Sequence, residues 1–242
     1  MAQALAAAYA TLPEDRHVHS LHAYFLRPGD VTLPIELCVE RVRDGRGFSS
    51  REITASQEGK SRFRMLASFQ VPEESLEYQG FSMPDVPEPE SVSLTYDAFT
   101  LAQTGEADWH GANRPVDIRY INPPPPRGTP TMEPQRMWMR IEQSLDADER
   151  VHRAGLAYLS DTTLVDHVML PHGRRWQDAD FDGASLDHAM WFHRPARADE
   201  WLLFEQLPEM TGGGRGLASG RFFNRRGDLV ATCVQEGVMR WP

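Results

Sequence analysis

The chain has 242 residues, 40% of them hydrophobic and 25% charged, with a formal net charge of -10. That length holds one large or two small globular domains, and the acidic balance argues against a nucleic-acid partner, whose phosphates need a concentrated basic face. No apolar run approaches a membrane span, and the first ten residues lack the basic start of a secretory signal, so no membrane association is expected and the expected compartment is the cytosol.

Residues 1–9 are alanine-rich, with Leu5 and Tyr9 spaced for one helical face, and they stop before Thr11-Leu12-Pro13, which predicts a helix from the first residues. Segments 18–26, 35–42, 48–55 and 63–71 alternate or run apolar between Pro-Gly-Asp, Asp-Gly-Arg-Gly and Glu-Gly-Lys turns, the pattern of an antiparallel meander. Cys38 and Cys233 both fall in such runs, where a free cysteine behaves as a small buried hydrophobe, and a disulfide is not expected in the cytosol.

From residue 72 to 115 the chain is acidic and proline-rich, which suits a surface connection, with a short helix expected at 91–101. Strand patterns return at 116–121 and 135–141, divided by Pro123 to Pro126. The clearest helix follows, with Asp146 as expected cap, Glu149 at the capping-box position, and Val151, Ala154, Ala157 and Tyr158 on one face. It leads into Leu159-Ser160-Asp161. Four further strand-like runs lie at 184–193, 201–207, 216–224 and 229–240.

The two meanders share signatures. Phe25-Leu26-Arg27-Pro28 recurs 167 residues later as Phe192-His193-Arg194-Pro195, and Gly45-Arg46-Gly47-Phe48-Ser49-Ser50 recurs 169 residues later as Gly214-Arg215-Gly216-Leu217-Ala218-Ser219. A repeat longer than half the chain means two copies of one domain, not a solenoid. The expected boundaries are 1–71, 72–115 and 116–242: a first domain, a linker and a second domain. Each copy reads as one helix followed by a long meander, the second with extra strands ahead of its helix. That is an α+β double hotdog, two antiparallel sheets each wrapped on a central helix.

The residues themselves are familiar. Ser185-Leu186-Asp187-His188-Ala189-Met190-Trp191-Phe192-His193-Arg194-Pro195, Asp199-Glu200-Trp201-Leu202-Leu203 and Val234-Gln235-Glu236-Gly237-Val238-Met239-Arg240 closely resemble the acyl-CoA thioesterase II family. The first half agrees through 18–30 and Ala67-Ser68-Phe69-Gln70. Family members usually begin with a strand and a Phe-Gly-Gly-Gln segment ahead of the first helix, and this chain starts inside that helix.

The resemblance implies hydrolysis of acyl-CoA thioesters to free acid and coenzyme A, with no cofactor, metal or covalent nucleophile, and assembly into a dimer or tetramer. The family's catalytic aspartate, serine or threonine, and glutamine fall here on Asp161, Ser185 and Gln235. Thioester hydrolysis needs an aimed water, a base and oxyanion donors, which the trio and backbone amides would supply. Gln70 occupies in the first meander the place of Gln235, but residues 5–10 offer no acid to pair with it. The first half is therefore expected to be structural or substrate-shaping.

Other constellations fail on chemistry. Ser185, Asp187 and His188 resemble a triad, yet strand neighbours point to opposite faces and there is no G-x-S-x-G elbow. His17 and His19 share a strand face that His22 does not, which disfavours a metal. The glycine run at 212–216 lacks the Lys-Ser/Thr of a phosphate loop and reads as a hairpin. Trp191, Phe192 and Trp201 read as core. The competing functions are a hotdog enoyl-CoA hydratase using Asp161 and His167, and a catalytically impaired acyl-CoA-binding protein.

Overall fold

The computed structural model describes residues 1–104 and 115–241, so residues 105–114 of the expected linker lie outside the described residues. Alternation decides the strands. In β3 (Phe48–Gln57) every second residue, from Ser49 to Gln57, is buried, and the same period runs through β4 (Lys60–Gln70) and, past a bulge between Val18 and Ser20, through β1 (His17–Phe25). β2 (Glu36–Asp44) is exposed along most of its length because it forms one edge of the sheet. The second meander is β8 (Asp187–Phe192), β9 (Leu202–Gly212), β10 (Arg215–Asn224) and β11 (Leu229–Arg240), preceded by the short β7 (Asp182–Ser185). β5 (Val116–Tyr120) and β6 (Gln135–Ile141) extend it past β9.

Two tight turns have the same build in the two halves. Glu58-Gly59 joins β3 to β4 with φ 51 and 71, and Gly213-Gly214 joins β9 to β10 with φ 59 and 73. Paired positive φ values are those of a type I′ turn, whose twist matches that of the strands it joins.

The strand order is β2-β3-β4-β1-β8-β11-β10-β9-β6-β5, with β7 paired to β11. The halves therefore do not carry two separate sheets. β1 and β8 pair antiparallel, Leu21 opposite Met190 and Ala23 opposite His188, and fuse them into one. Two helices, α1 (Ala2–Tyr9) and the longer α3 (Glu149–Ser160), pack on each other, α1 against β2 and β3, α3 against β1 and β6. The architecture is α+β and double hotdog.

The repeated Phe-x-Arg-Pro has the same structural task twice. The amides of Leu26 and Arg27 donate to the Arg62 carbonyl, and those of His193 and Arg194 to the Val230 carbonyl. The guanidiniums close the same junction, Arg27 on the Ser61 carbonyl at 2.8 Å and Arg194 on the Leu229 carbonyl at 3.2 Å.

The described part of the linker packs over the second half. Met83, Val86 and Val92 pack with Ile121 over Trp138, Trp201, Leu203, Phe223 and Leu229, a second small core on the far side of the sheet. Trp138 is buried there because its indole N–H donates to the Pro87 carbonyl at 2.8 Å. The short helix expected in this region is α2 (Tyr96–Thr104), a few residues later than its sequence suggests.

Several local expectations change. α3 is capped by Asp148, whose carboxylate accepts from the Arg150 amide at 2.9 Å, while Asp146 is used two residues earlier, accepting from the Asp148 amide at 2.9 Å. Its buried residues are His152, Gly155, Leu156, Ala157, Leu159 and Ser160; of the face expected from sequence Ala157 is fully buried and Ala154 packs on the core, whereas Val151 and Tyr158 are exposed. An apolar count overlooks a glycine and a histidine as inward residues; His152 packs inside because its Nδ1 accepts the Ala198 amide. Cys38 is exposed on the edge strand, whereas Cys233 is buried. Trp191 is partly exposed on the outer face, edge-on to His22 at 5.3 Å. The run at 184–193 is two strands, because Asp187 turns its carboxylate onto the Glu236 amide and breaks the ladder at Leu186.

Candidate active site

Asp161 is the residue that ends α3, with φ -95 and ψ 4, so its side chain leaves the helix where the chain turns into the 3-10 segment Leu164–His172. That segment lies against β9, β10 and β11. Two glycines permit the approach: a Cβ on Gly216 would overlap Met239 and Val168, and one on Gly237 would overlap Val165. Ser185 is the cross-strand partner of Gly237. Paired residues share a sheet face, as do residues two apart, so Ser185 and Gln235 point to the same side.

There the three side chains meet. Nε2 of Gln235 donates to Asp161 Oδ1 at 2.7 Å and to Ser185 Oγ at 2.9 Å. Gln235 is fully buried, while Asp161 and Ser185 are half-buried, so the amide is the floor of the site and the carboxylate and hydroxyl are its accessible part. The start of α1 lies beside them: the amino group of Met1 interacts electrostatically with Asp161, and burial, the larger influence, lowers its pKa.

Behind Gln235 stands a pair that sequence reasoning did not assign. His188 is buried on β8, its Nε2 3.0 Å from Ser160 Oγ, and it faces the Gln235 amide. Burial first, then the nearby positive amino group, pushes its pKa down to about 3, so the ring is neutral at physiological pH. The triad of Ser185, Asp187 and His188 does not form: Ser185 bonds Gln235, Asp187 bonds the Glu236 amide and His188 contacts Ser160. The signal was available as two polar residues, His188 and Gln235, on inward positions of apolar strands.

Gln70 is not the counterpart of Gln235. Counting four rungs from Phe25↔Phe63 reaches Leu21↔Ala67, and four rungs from Phe192↔Ala231 bring His188 beside Gln235. Ala67 therefore holds the place of Gln235, and Gln70 lies three residues further, opposite His17 and Phe48. The similar tripeptides Ser68-Phe69-Gln70 and Cys233-Val234-Gln235 are out of register.

The remaining candidates lie elsewhere. His167 is buried in the 3-10 segment with Nδ1 3.4 Å from the Thr163 carbonyl, and burial lowers its pKa to about 4. His19 contacts Ser68 at 2.8 Å, and His17 lies 3.7 Å from Glu149. Among the described residues no group of three or more histidine, cysteine, aspartate or glutamate side chains is placed to hold a metal. Burial, reinforced by the charge of Asp161, raises the Cys233 thiol above its ordinary range, away from the thiolate that a nucleophile requires.

Comparison with known proteins places the chain in a family. Residues 107–238 match the family model described as acyl-CoA thioesterase, and residues 1–70 match that of the acyl-CoA thioesterase N-terminal domain. The chain is 42% identical to acyl-coenzyme A thioesterase 8 of Mus musculus over 99% of its own length and 78% of the mouse protein. It is 38% identical to acyl-CoA thioesterase 2 of Haemophilus influenzae, over 100% of this chain and 86% of that protein. The crystal structure of the acyl-CoA thioesterase II TesB2 of Mycobacterium marinum superposes with a TM-score of 0.82 at 37% identity, covering 100% of this chain and 87% of that one. This chain belongs to the acyl-CoA thioesterase II family.

Proposed function

We propose that the protein hydrolyses acyl-CoA thioesters to a free acid and coenzyme A, with Asp161 as general base and Ser185 and Gln235 as its partners. The observation that carries this reading is the Gln235 amide bridging Asp161 at 2.7 Å and Ser185 at 2.9 Å. An amide nitrogen has two hydrogens, and both are engaged here. Gln235 thus orients the carboxylate without neutralising it, so that Asp161 stays charged to take the proton of a water. Ser185, accepting from Gln235, retains its own proton to hold that water or the substrate carbonyl.

The water oxygen attacks the thioester carbon as its proton passes to Asp161. The tetrahedral intermediate then expels the coenzyme A sulfur, which takes that proton as a thiol. The negative oxygen formed on the way needs donors. The first turn of α1, which begins beside Asp161 and has no side-chain cap, offers backbone N–H groups for it. A positioned base contributes about a hundred- to ten-thousandfold. His167 does not support the hydratase reading, since it turns to the Thr163 carbonyl.

The test is release of free thiol from a saturated acyl-CoA. A hydrolase liberates one thiol for each acid formed. A hydratase acts on a 2-enoyl substrate and releases none, and a binding protein retains acyl-CoA unchanged. A series of acyl lengths then defines the substrate range. Assembly into a dimer or tetramer belongs to the same reading and is measured by light scattering.

A further inference from the structure

Gln235 has two amide hydrogens and one carbonyl oxygen to place. With Nε2 on Asp161 and Ser185 both hydrogens are used, and Oε1 points back into the protein, where it is buried and forms no hydrogen bond within ordinary limits. Nδ1 of His188 is buried in the same condition. The strand register sets these two groups side by side, continuing Met190↔Cys233 and Ala189↔Val234.

The orientation of the amide follows. Turned over, it would direct Oε1 at the Asp161 carboxylate, acceptor against acceptor. The imidazole has a parallel choice, since a neutral ring carries one hydrogen. Placed on Nε2, that hydrogen reaches Ser160 but leaves the Nδ1 lone pair facing Oε1, again two buried acceptors. Placed on Nδ1, it is given to Oε1, and Nε2 accepts the Ser160 hydroxyl at 3.0 Å. This assignment gives the buried Nδ1 and Oε1 each other as partners, and the Ser160 hydroxyl, which in the other tautomer donates to the Ala157 carbonyl at 3.0 Å, turns to Nε2. A satisfied buried network of this kind specifies one geometry, whereas a half-satisfied one does not.

We propose that His188 is a positioning residue: in its Nδ1–H form it holds the Gln235 carbonyl, and so directs both Gln235 hydrogens at Asp161 and Ser185. The inference rests on the reading of Asp161 as an ionised base. The twin half supports it. At the equivalent rung stand Leu21 and Ala67, both fully buried, so the fold is complete there with an apolar pair. A histidine and a glutamine in that place serve the site, and the ring stays neutral because burial opposes its protonation.

The experiment combines nitrogen NMR of the histidine rings in labelled protein with kinetics of His188→Leu and His188→Asn. Asparagine keeps an N–H where Nδ1 stands, whereas leucine repeats the twin half. The His188 signals, identified by their loss in His188→Asn, should show a protonated Nδ1 and a bare Nε2. His188→Leu should lose about 10- to 100-fold in kcat, the scale of a displaced catalytic group, with KM within about twofold, and His188→Asn should recover most of that loss. An Nε2–H ring overturns the proposal, and that spectrum requires no variant to be active. So does a folded His188→Leu enzyme with wild-type kcat, or a folded His188→Asn enzyme as slow as His188→Leu. Wild-type protein that releases no thiol would instead refute the hydrolase reading, with the ring spectrum still deciding the tautomer.

Discussion

Gly237 of β11 and Val165 of the 3-10 segment touch so closely that a Cβ on the glycine would overlap the valine's Cγ2. Gly237 is also the cross-strand partner of Ser185, and Val165 lies four residues past Asp161. One contact thereby sets the spacing between two members of the trio. Gly237→Ala is expected to push the segment outward, costing about 1–3 kcal/mol as overpacking does and lowering kcat through a lengthened Asp161–Gln235 bond. Urea unfolding and thiol release on the same preparation measure both; unchanged kcat in a destabilised variant would show that the contact serves only the fold.

Gln79 fastens the linker to the second half. Its Nε2 donates to the Gly227 carbonyl at 2.9 Å, and its Oε1 accepts from the Leu229 amide and from Arg194, each at 2.8 Å. Gln79→Ala leaves partly buried backbone groups unpaired, an expected loss of about 1–3 kcal/mol. The strap over Trp138 should loosen with it, so limited proteolysis should cut between residues 72 and 92 sooner than in wild type. Identical cleavage rates would mean that the apolar contacts of Met83, Val86 and Val92 hold the strap unaided.

Two buried histidines predict acid sensitivity. His167 and His188 are held neutral in the folded chain, at about 4 and about 3, chiefly by burial. Unfolded, each titrates near about 6.5. Below that value the unfolded chain binds protons that the folded chain refuses, so stability is full above it and falls as the pH drops. The slope approaches about 1.4 kcal/mol per pH unit for each ring until the folded-state values are reached. His19 and His193, half-buried and also lowered, act in the same direction. Urea midpoints at about pH 7 and about pH 5 measure the effect, and His167→Gln should flatten it. Equal midpoints would show that neither ring stays neutral on folding.

Much of this was legible in the residues. The duplication shows because Arg27 and Arg194 close the same junction in both halves, so the same short motif is needed twice. The trio was legible through its resemblance to a family, and the structure brings Asp161, Ser185 and Gln235 within hydrogen-bonding reach. Edge-to-edge pairing of the two halves is what the duplicated hotdog implies, but its strands and register were not legible, because pairing between β1 and β8 leaves no local pattern in either strand. Nor was the false equivalence of Gln70, since similar tripeptides hide a register difference that only a rung count reveals. The inward face of α3 was misjudged because His152 and Gly155 earn burial through a hydrogen bond and close packing rather than through hydrophobicity.

The most direct test of the proposed chemistry is single-turnover thiol release by Asp161→Asn, which removes the negative charge and keeps the shape. The expected result is a rate lower by about a hundred- to ten-thousandfold, with affinity for acyl-CoA within about threefold of wild type. A folded Asp161→Asn protein that releases thiol at the wild-type rate would contradict the assignment of Asp161 as the base.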